Sequence, residues 1–166
     1  SIELRPKVEV DCSTVRVMSY NIHYAVGMDK ALDVARIALV INEHDPDIVG
    51  LQEISNEAMA IELGRLTGMR AVFGPSKGSN NAYGDAILSK HPFEWVGNHA
   101  IPSASSSRYQ AMAVDVDLSK IDGNKQKVRF INTHFDWLDT IGSQEARLAS
   151  VRLIEKAFCG APKTPL

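Results

Sequence analysis

Two periods of apolar residues alternate along the chain, and they place most of its elements. Residues 15–20, Val-Arg-Val-Met-Ser-Tyr, are rich in β-formers and run into the polar Asn21-Ile22-His23, which predicts a strand ending in a loop. Over 33–43 the period changes. Val34, Ile37, Ala38 and Ile41 recur at helical spacing behind Asp33, which is positioned to cap the helix. Pro46 ends that helix, because proline disfavours helical geometry in the residue before it. The run 48–53 then reads as a short apolar strand closing on Glu53, so the first fifty residues have a βαβ-like order.

A second helix is expected over 56–66, with Met59, Leu63 and Leu66 on one face and Gly68 at its end. Strands follow at 71–73, 85–89, 94–96, 112–118 and 128–133, the last two around an Asp122-Gly123-Asn124 hairpin signal. Segments 76–81 and 102–107 are polar loops. A last helix over 144–158, capped by Ser143, carries an apolar stripe of Leu148, Val151, Ile154 and Phe158. The chain shows no internal repeat.

Composition narrows the class. A chain of 166 residues with 45% hydrophobic content supports one core, hence a single domain, with 1–14 as an N-terminal extension. The net charge of -2 provides no sequence-wide field for nucleic-acid phosphates, so nucleic acid is a partner that charge does not favour. No apolar run approaches the ~18 residues that span a bilayer. The expectation is a soluble protein, cytoplasmic or secreted after signal removal. Cys12 and Cys159 lack metal-motif spacing and fit either a structural pair or two free thiols.

Candidate chemistry lies at strand ends: Asn21 with His23, Glu53, and His134 with Asp136. In open α/β sheets, ligands gather outside the carboxyl ends of strands, so these groups are natural neighbours. Singly, each has an ordinary reading: a turn-forming asparagine, an exposed strand-end glutamate, a structural histidine. Together, a carboxylate and an amide oxygen suit Mg²⁺ or Mn²⁺, and a nearby histidine suits a phosphate. Arg108 precedes a strand and reads either as a surface arginine or as a contact to substrate phosphate. Asp136 reads as substrate-binding or as orienting His134. Tyr83 and the 76–81 loop are expected at the rim of the cleft, and Glu145 with Arg147 as a salt-bridged helix start.

Four stretches, VRVMSYNIHYAVG, PDIVGLQEI, YGDAILSKHPF and INTHFDWL, in this order and spacing, resemble the endonuclease/exonuclease/phosphatase superfamily of metal-dependent phosphoesterases. The likeness runs from about residue 15 to residue 158. It implies an α/β fold in which a two-sheet β-sandwich is flanked by helices, the DNase I-like four-layer sandwich. It also implies that Asn21 and Glu53 serve a Mg²⁺ (or Mn²⁺) and phosphate site, that His134 contacts the scissile phosphate, and that His23 lies beside them.

The same resemblance implies hydrolysis of a phosphate ester by a phosphodiesterase, nuclease or phosphatase, with direct attack of water. Such proteins normally continue into a GDFN-type strand end and an SDH-type motif, and neither occurs in these residues. The chain is therefore expected to be the N-terminal portion of such a domain with the C-terminal part missing. On that expectation it is inactive alone and prone to self-association through exposed sheet edges. The alternative is a non-catalytic phosphate- or partner-binding module that retains half of an old site.

Overall fold

Strand β1 (Val17–Asn21) leads through helix α1 (Val34–His44) to strand β2 (Ile48–Ile54), which pairs parallel to β1 in the register Val17↔Ile48 to Asn21↔Gln52. The computed structural model describes residues 14–76, 83–105, 107–122 and 126–160. The expected 1–14 extension therefore lies almost wholly outside the described residues.

Helix α1 begins where its sequence directs. The Asp33 carboxylate accepts from Arg36 N, and Asp45, left-handed at φ 48°, closes the helix ahead of Pro46. Helix α2 (Glu57–Thr67) repeats the device, with the Asn56 side chain accepting from Met59 N and Gly68 ending it at φ 68°. Strands β3 (Arg70–Pro75) and β4 (Gly84–Ser89) complete a sheet of order β1-β2-β4-β3. A second, antiparallel sheet has the order β5 (Phe93–Ile101), β6 (Tyr109–Asp117), β7 (Lys127–Thr133).

Alternation along the strands separates the layers. Val49, Leu51, Ala86 and Leu88 meet Ile37, Ile41 and Leu63 of α1 and α2. Ile48 and Ile87, pointing the other way, meet Met112, Val114 and Val116 of β6. Ala111, Ala113 and Tyr109 face Phe158 beyond helix α4 (Ile141–Ile154). The result is helix, sheet, sheet, helix.

Four sequence expectations change. A short helix, α3 (Ser119–Asp122), leaves β6, and residues 123–125 of the expected hairpin turn lie outside the described residues. Strand β5 is much longer than its apolar run because it pairs along β6, with a register shift between Trp95 and Gly97. Helix α4 is capped by Thr140, whose side chain accepts from Ser143 N; Ser143 is buried in the first turn. The predicted stripe on α4 also splits, since Leu148 and Val151 are exposed while Phe158 is buried. The helix approaches the sheet through the small residues Ser143, Ala146 and Ser150, and close approach outweighs hydrophobic period here. Its axis then continues as a π-type turn over Glu155–Cys159, where Cys159 is an exposed free thiol.

These contacts set stability expectations. Ile41→Ala, at a site 1% exposed, should cost about 2–5 kcal/mol, and Asn56→Ala about 1 kcal/mol. Urea unfolding of the two single variants and their double should show near-additive losses.

Candidate active site

Asn21, Glu53 and His134 leave the ends of β1, β2 and β7 and meet at one end of the sandwich. Asn21 Nδ2 donates to Glu53 Oε1 at 3.0 Å, while Asn21 Oδ1 accepts from His23 N at 3.0 Å. His134 Nε2 stands 3.9 Å from the same Glu53 Oε1. Asn21 thus aims Glu53 with one end of its amide and closes the following turn with the other.

Glu53 owes its direction to a β-bulge. Between Leu51 and Ile54 the pairing with β4 slips from Ala86 to Gly84, which leaves one extra residue on β2. Glu53 occupies that position at φ 61°, a left-handed conformation uncommon for residues other than glycine. A regular strand would have pointed the side chain elsewhere. The turn after β1 is strained as well: His23, Tyr24 and Ala25 have φ of 46°, 58° and 59° in succession. It seats the Tyr24 ring 5.7 Å from both His23 and Tyr83.

Aromatic side chains also enclose His134. The Tyr109 ring meets it edge-on at 5.1 Å, and Tyr83 Oη lies 3.5 Å from Nδ1. Burial, then the neighbouring Tyr24, Asp85 and Glu53, raise the Tyr83 pKa, so its phenol keeps its proton. The Tyr83 phenol also bonds to Tyr24, and the tautomer of His134 follows which partner the phenol proton serves; only with that proton directed at Nδ1 does the imidazole proton sit on Nε2, the nitrogen facing Glu53. Burial lowers the His134 pKa and the Glu53 carboxylate opposes this only in part, so the ring is neutral at pH 7.

Asp85 was not foreseen from sequence. It is the second residue of the apolar strand β4 and is 1% exposed, and apart from the Glu53 amide directed at it its oxygens find no donor among the described residues. The Glu53 amide and carboxylate act on it with opposite signs, and burial dominates, lifting its pKa to about 8. Glu53 Oε2 is likewise buried without a partner among the described residues. Of the two carboxyl groups Asp85 keeps its proton, so Glu53 is the hard oxygen donor that would suit a divalent cation keeping water in its shell. No cluster of three or more His, Cys, Asp or Glu occurs among the described residues, so Glu53 is the candidate ligand carried by the chain.

Other expected residues are placed differently. Asp136 is buried, and its oxygens accept from Ser103 Oγ, Ala104 N, Ser105 N and Leu138 N, so it latches two loops together. Burial works against its ionisation, yet these donors hold its pKa down to about 2. Arg147 donates to the carbonyls of Asp136 and Leu138, supporting the same loop where a salt-bridged helix start was expected. Arg108 is exposed, one residue before Tyr109. His23 is exposed beside Asn21, and residues 77–81 of the expected rim lie outside the described residues.

The model of the Endonuclease/Exonuclease/phosphatase family matches residues 18–128. The chain belongs to that family. Its members hydrolyse phosphate esters and are generally dependent on divalent metals. No curated protein sequence matches the chain.

Among solved structures, an endonuclease/exonuclease/phosphatase from Beutenbergia cavernae DSM 12333 is 24% identical at a TM-score of 0.65, over 86% of this chain and 43% of that one. TDP2 from C. elegans is 26% identical at 0.58, over 89% of this chain and 45% of that one. The human Nocturnin catalytic domain with bound sulfate anion is 20% identical at 0.56, over 86% and 59%. The two sheets and their helices are thus the DNase I-like fold of the family, and the chain spans 43% to 59% of these relatives.

The buried carboxyl makes stability depend on pH. Folded Asp85 holds its proton up to about pH 8, whereas unfolded Asp85 releases it above 3.8, so its contribution falls as pH rises between those values. His134 acts oppositely: with a lowered folded pKa it costs stability as pH falls below 6.5. Between pH 6.5 and 8, with a chelator present, wild-type stability should therefore decline by up to about 1.4 kcal/mol per pH unit. Asp85→Asn should flatten that slope in urea unfolding, and parallel slopes would contradict the assignment.

Proposed function

We propose that the protein to which this chain belongs is a Mg²⁺- or Mn²⁺-dependent phosphoric ester hydrolase whose cation and phosphate are received at Glu53, Asn21 and His134. The observation that carries this reading is Glu53, set on a positive-φ bulge with one carboxylate oxygen aimed by Asn21 and the other buried without a partner among the described residues. When bound, the cation supplies Lewis-acid polarisation of the phosphoryl group.

The protein groups divide the remaining work. Glu53 holds the cation. Asn21 fixes the Glu53 rotamer and, through His23 N–H, the turn beside it. His134, neutral with its proton on Nε2, donates that proton in a hydrogen bond to a phosphoryl oxygen, whose charge grows as the ester bond breaks. Tyr83 and Tyr109 hold the ring and keep water from its flank. His23, exposed beside Asn21, and Arg108, exposed one residue before Tyr109, are proposed substrate contacts. The near-neutral charge favours a compact phosphate ester over an extended nucleic acid.

Two substitutions test the assignment. Glu53→Gln should weaken Mn²⁺ binding to this chain at least tenfold by isothermal titration, while leaving its far-ultraviolet spectrum unchanged. In the full-length protein, His134→Ala should lower kcat on bis-p-nitrophenyl phosphate by about 10²–10³ with the metal affinity retained. A wild-type chain that binds neither Mg²⁺ nor Mn²⁺ would refute the proposed function.

A further inference from the structure

Between the two sheets lies a polar pair, Gln52 and Asn132, that the chemistry above does not use. They are 6% and 4% exposed. Asn132 Nδ2 donates to Leu51 O at 2.9 Å and to Ala86 O at 3.0 Å, and its Oδ1 accepts from Gln52 Nε2 at 2.7 Å. Leu51 and Ala86 are the last regular partners of β2 and β4 before the bulge, and pairing resumes only at Ile54 and Gly84. The carbonyls that Asn132 reaches therefore lie where the ladder is interrupted. A buried carbonyl without a donor is costly, so an amide from the opposite sheet replaces what the bulge removes. Gly50 leaves the space, since a Cβ there would stand 2.7 Å from Asn132 Oδ1.

The same contacts reach every strand that delivers a site residue. Gln52 Nε2 also lies 3.3 Å from Ser19 Oγ on β1. Its backbone oxygen accepts from Ile22 N at 3.1 Å, between Asn21 and His23 in the chain. Asn132 itself stands two residues before His134. We propose that Asn132, together with Gln52, is a positioning residue: it clamps the bulge from the opposite sheet and so fixes Glu53 relative to Asn21 and His134. Neither amide needs to touch substrate, and both act through Glu53.

The φ angle of Glu53 is reported by its three-bond HN–Hα coupling, which a general loss of stability does not change. Asn132→Ala should shift that coupling toward extended-strand values and weaken Mn²⁺ binding about 10–100-fold. Gln52→Met keeps both donations from Asn132 and should move both readouts in the same direction by less. Ser150→Ala, which removes a part-buried hydrogen bond from α4 to Pro102 O, should lower stability and move neither. If Asn132→Ala does not fold, Gln52→Met decides the matter. A folded variant with native Glu53 coupling and native Mn²⁺ affinity overturns the clamp. The Mn²⁺ readout rests on the proposed function. Should the wild type bind no Mn²⁺, that function fails, and the coupling alone still decides the clamp.

Discussion

The candidate site depends on one backbone irregularity, the extra residue that β2 carries against β4. Without it Glu53 would follow the strict alternation of the strand, and its carboxylate would not meet Asn21. A left-handed conformation at a residue with a Cβ costs on the order of 1 kcal/mol or more, so something else must hold it. The parallel pairing with β1, the inter-sheet amides and the Glu53–Asn21 hydrogen bond all converge on this place. Sheet architecture and site chemistry meet in the same few atoms.

Electrostatics add a second demand. Carboxyl groups that are buried without donors are unfavourable as anions, and Asp85 responds by keeping its proton. Glu53 is aimed by a neutral amide and faces a neutral imidazole, so among the described residues no protein cation compensates it at close range. Asp136 is the opposite case. Four donors surround it, and it ionises readily because its charge is fully met within the protein. That contrast separates an acid that serves a loop from acids with oxygens left over.

Much of this was legible in the sequence, for physical reasons that can be named. Asp33 and Asn56 announce α1 and α2 because short polar side chains reach the free amides of a first helical turn. Asn21, Glu53 and His134 could be grouped because strands that end in polar residues deliver them to one edge of a sheet. The bulge was not legible, since nothing in the identity of Glu53 signals a positive φ. Asp85 was missed because it reads as the polar first residue of an apolar strand, and its burial comes from neighbours distant in sequence. Helix α4 misled for a related reason: period identifies apolar faces, but the packing surface was chosen by the small side chains of Ser143, Ala146 and Ser150.

The turn at His23, Tyr24 and Ala25 has a consequence for the order in which the protein assembles. Three successive left-handed residues are rare in an unfolded chain, and the turn's own hydrogen bonds, Ala25 N to Ile22 O and Val26 N to His23 O, are both local. Its ties to the rest of the fold are the Ile22 N–H to Gln52 O bond and the Asp33 N–H to Ala25 O bond, so it is held in place once β1 has docked on β2. This part of the cleft is therefore a late-forming and early-opening segment of the fold, whose amides exchange with solvent before those of the central strands. A ligand that seats against it would gain affinity by closing an equilibrium the empty protein leaves partly open, and would announce itself as slowed exchange at those three residues.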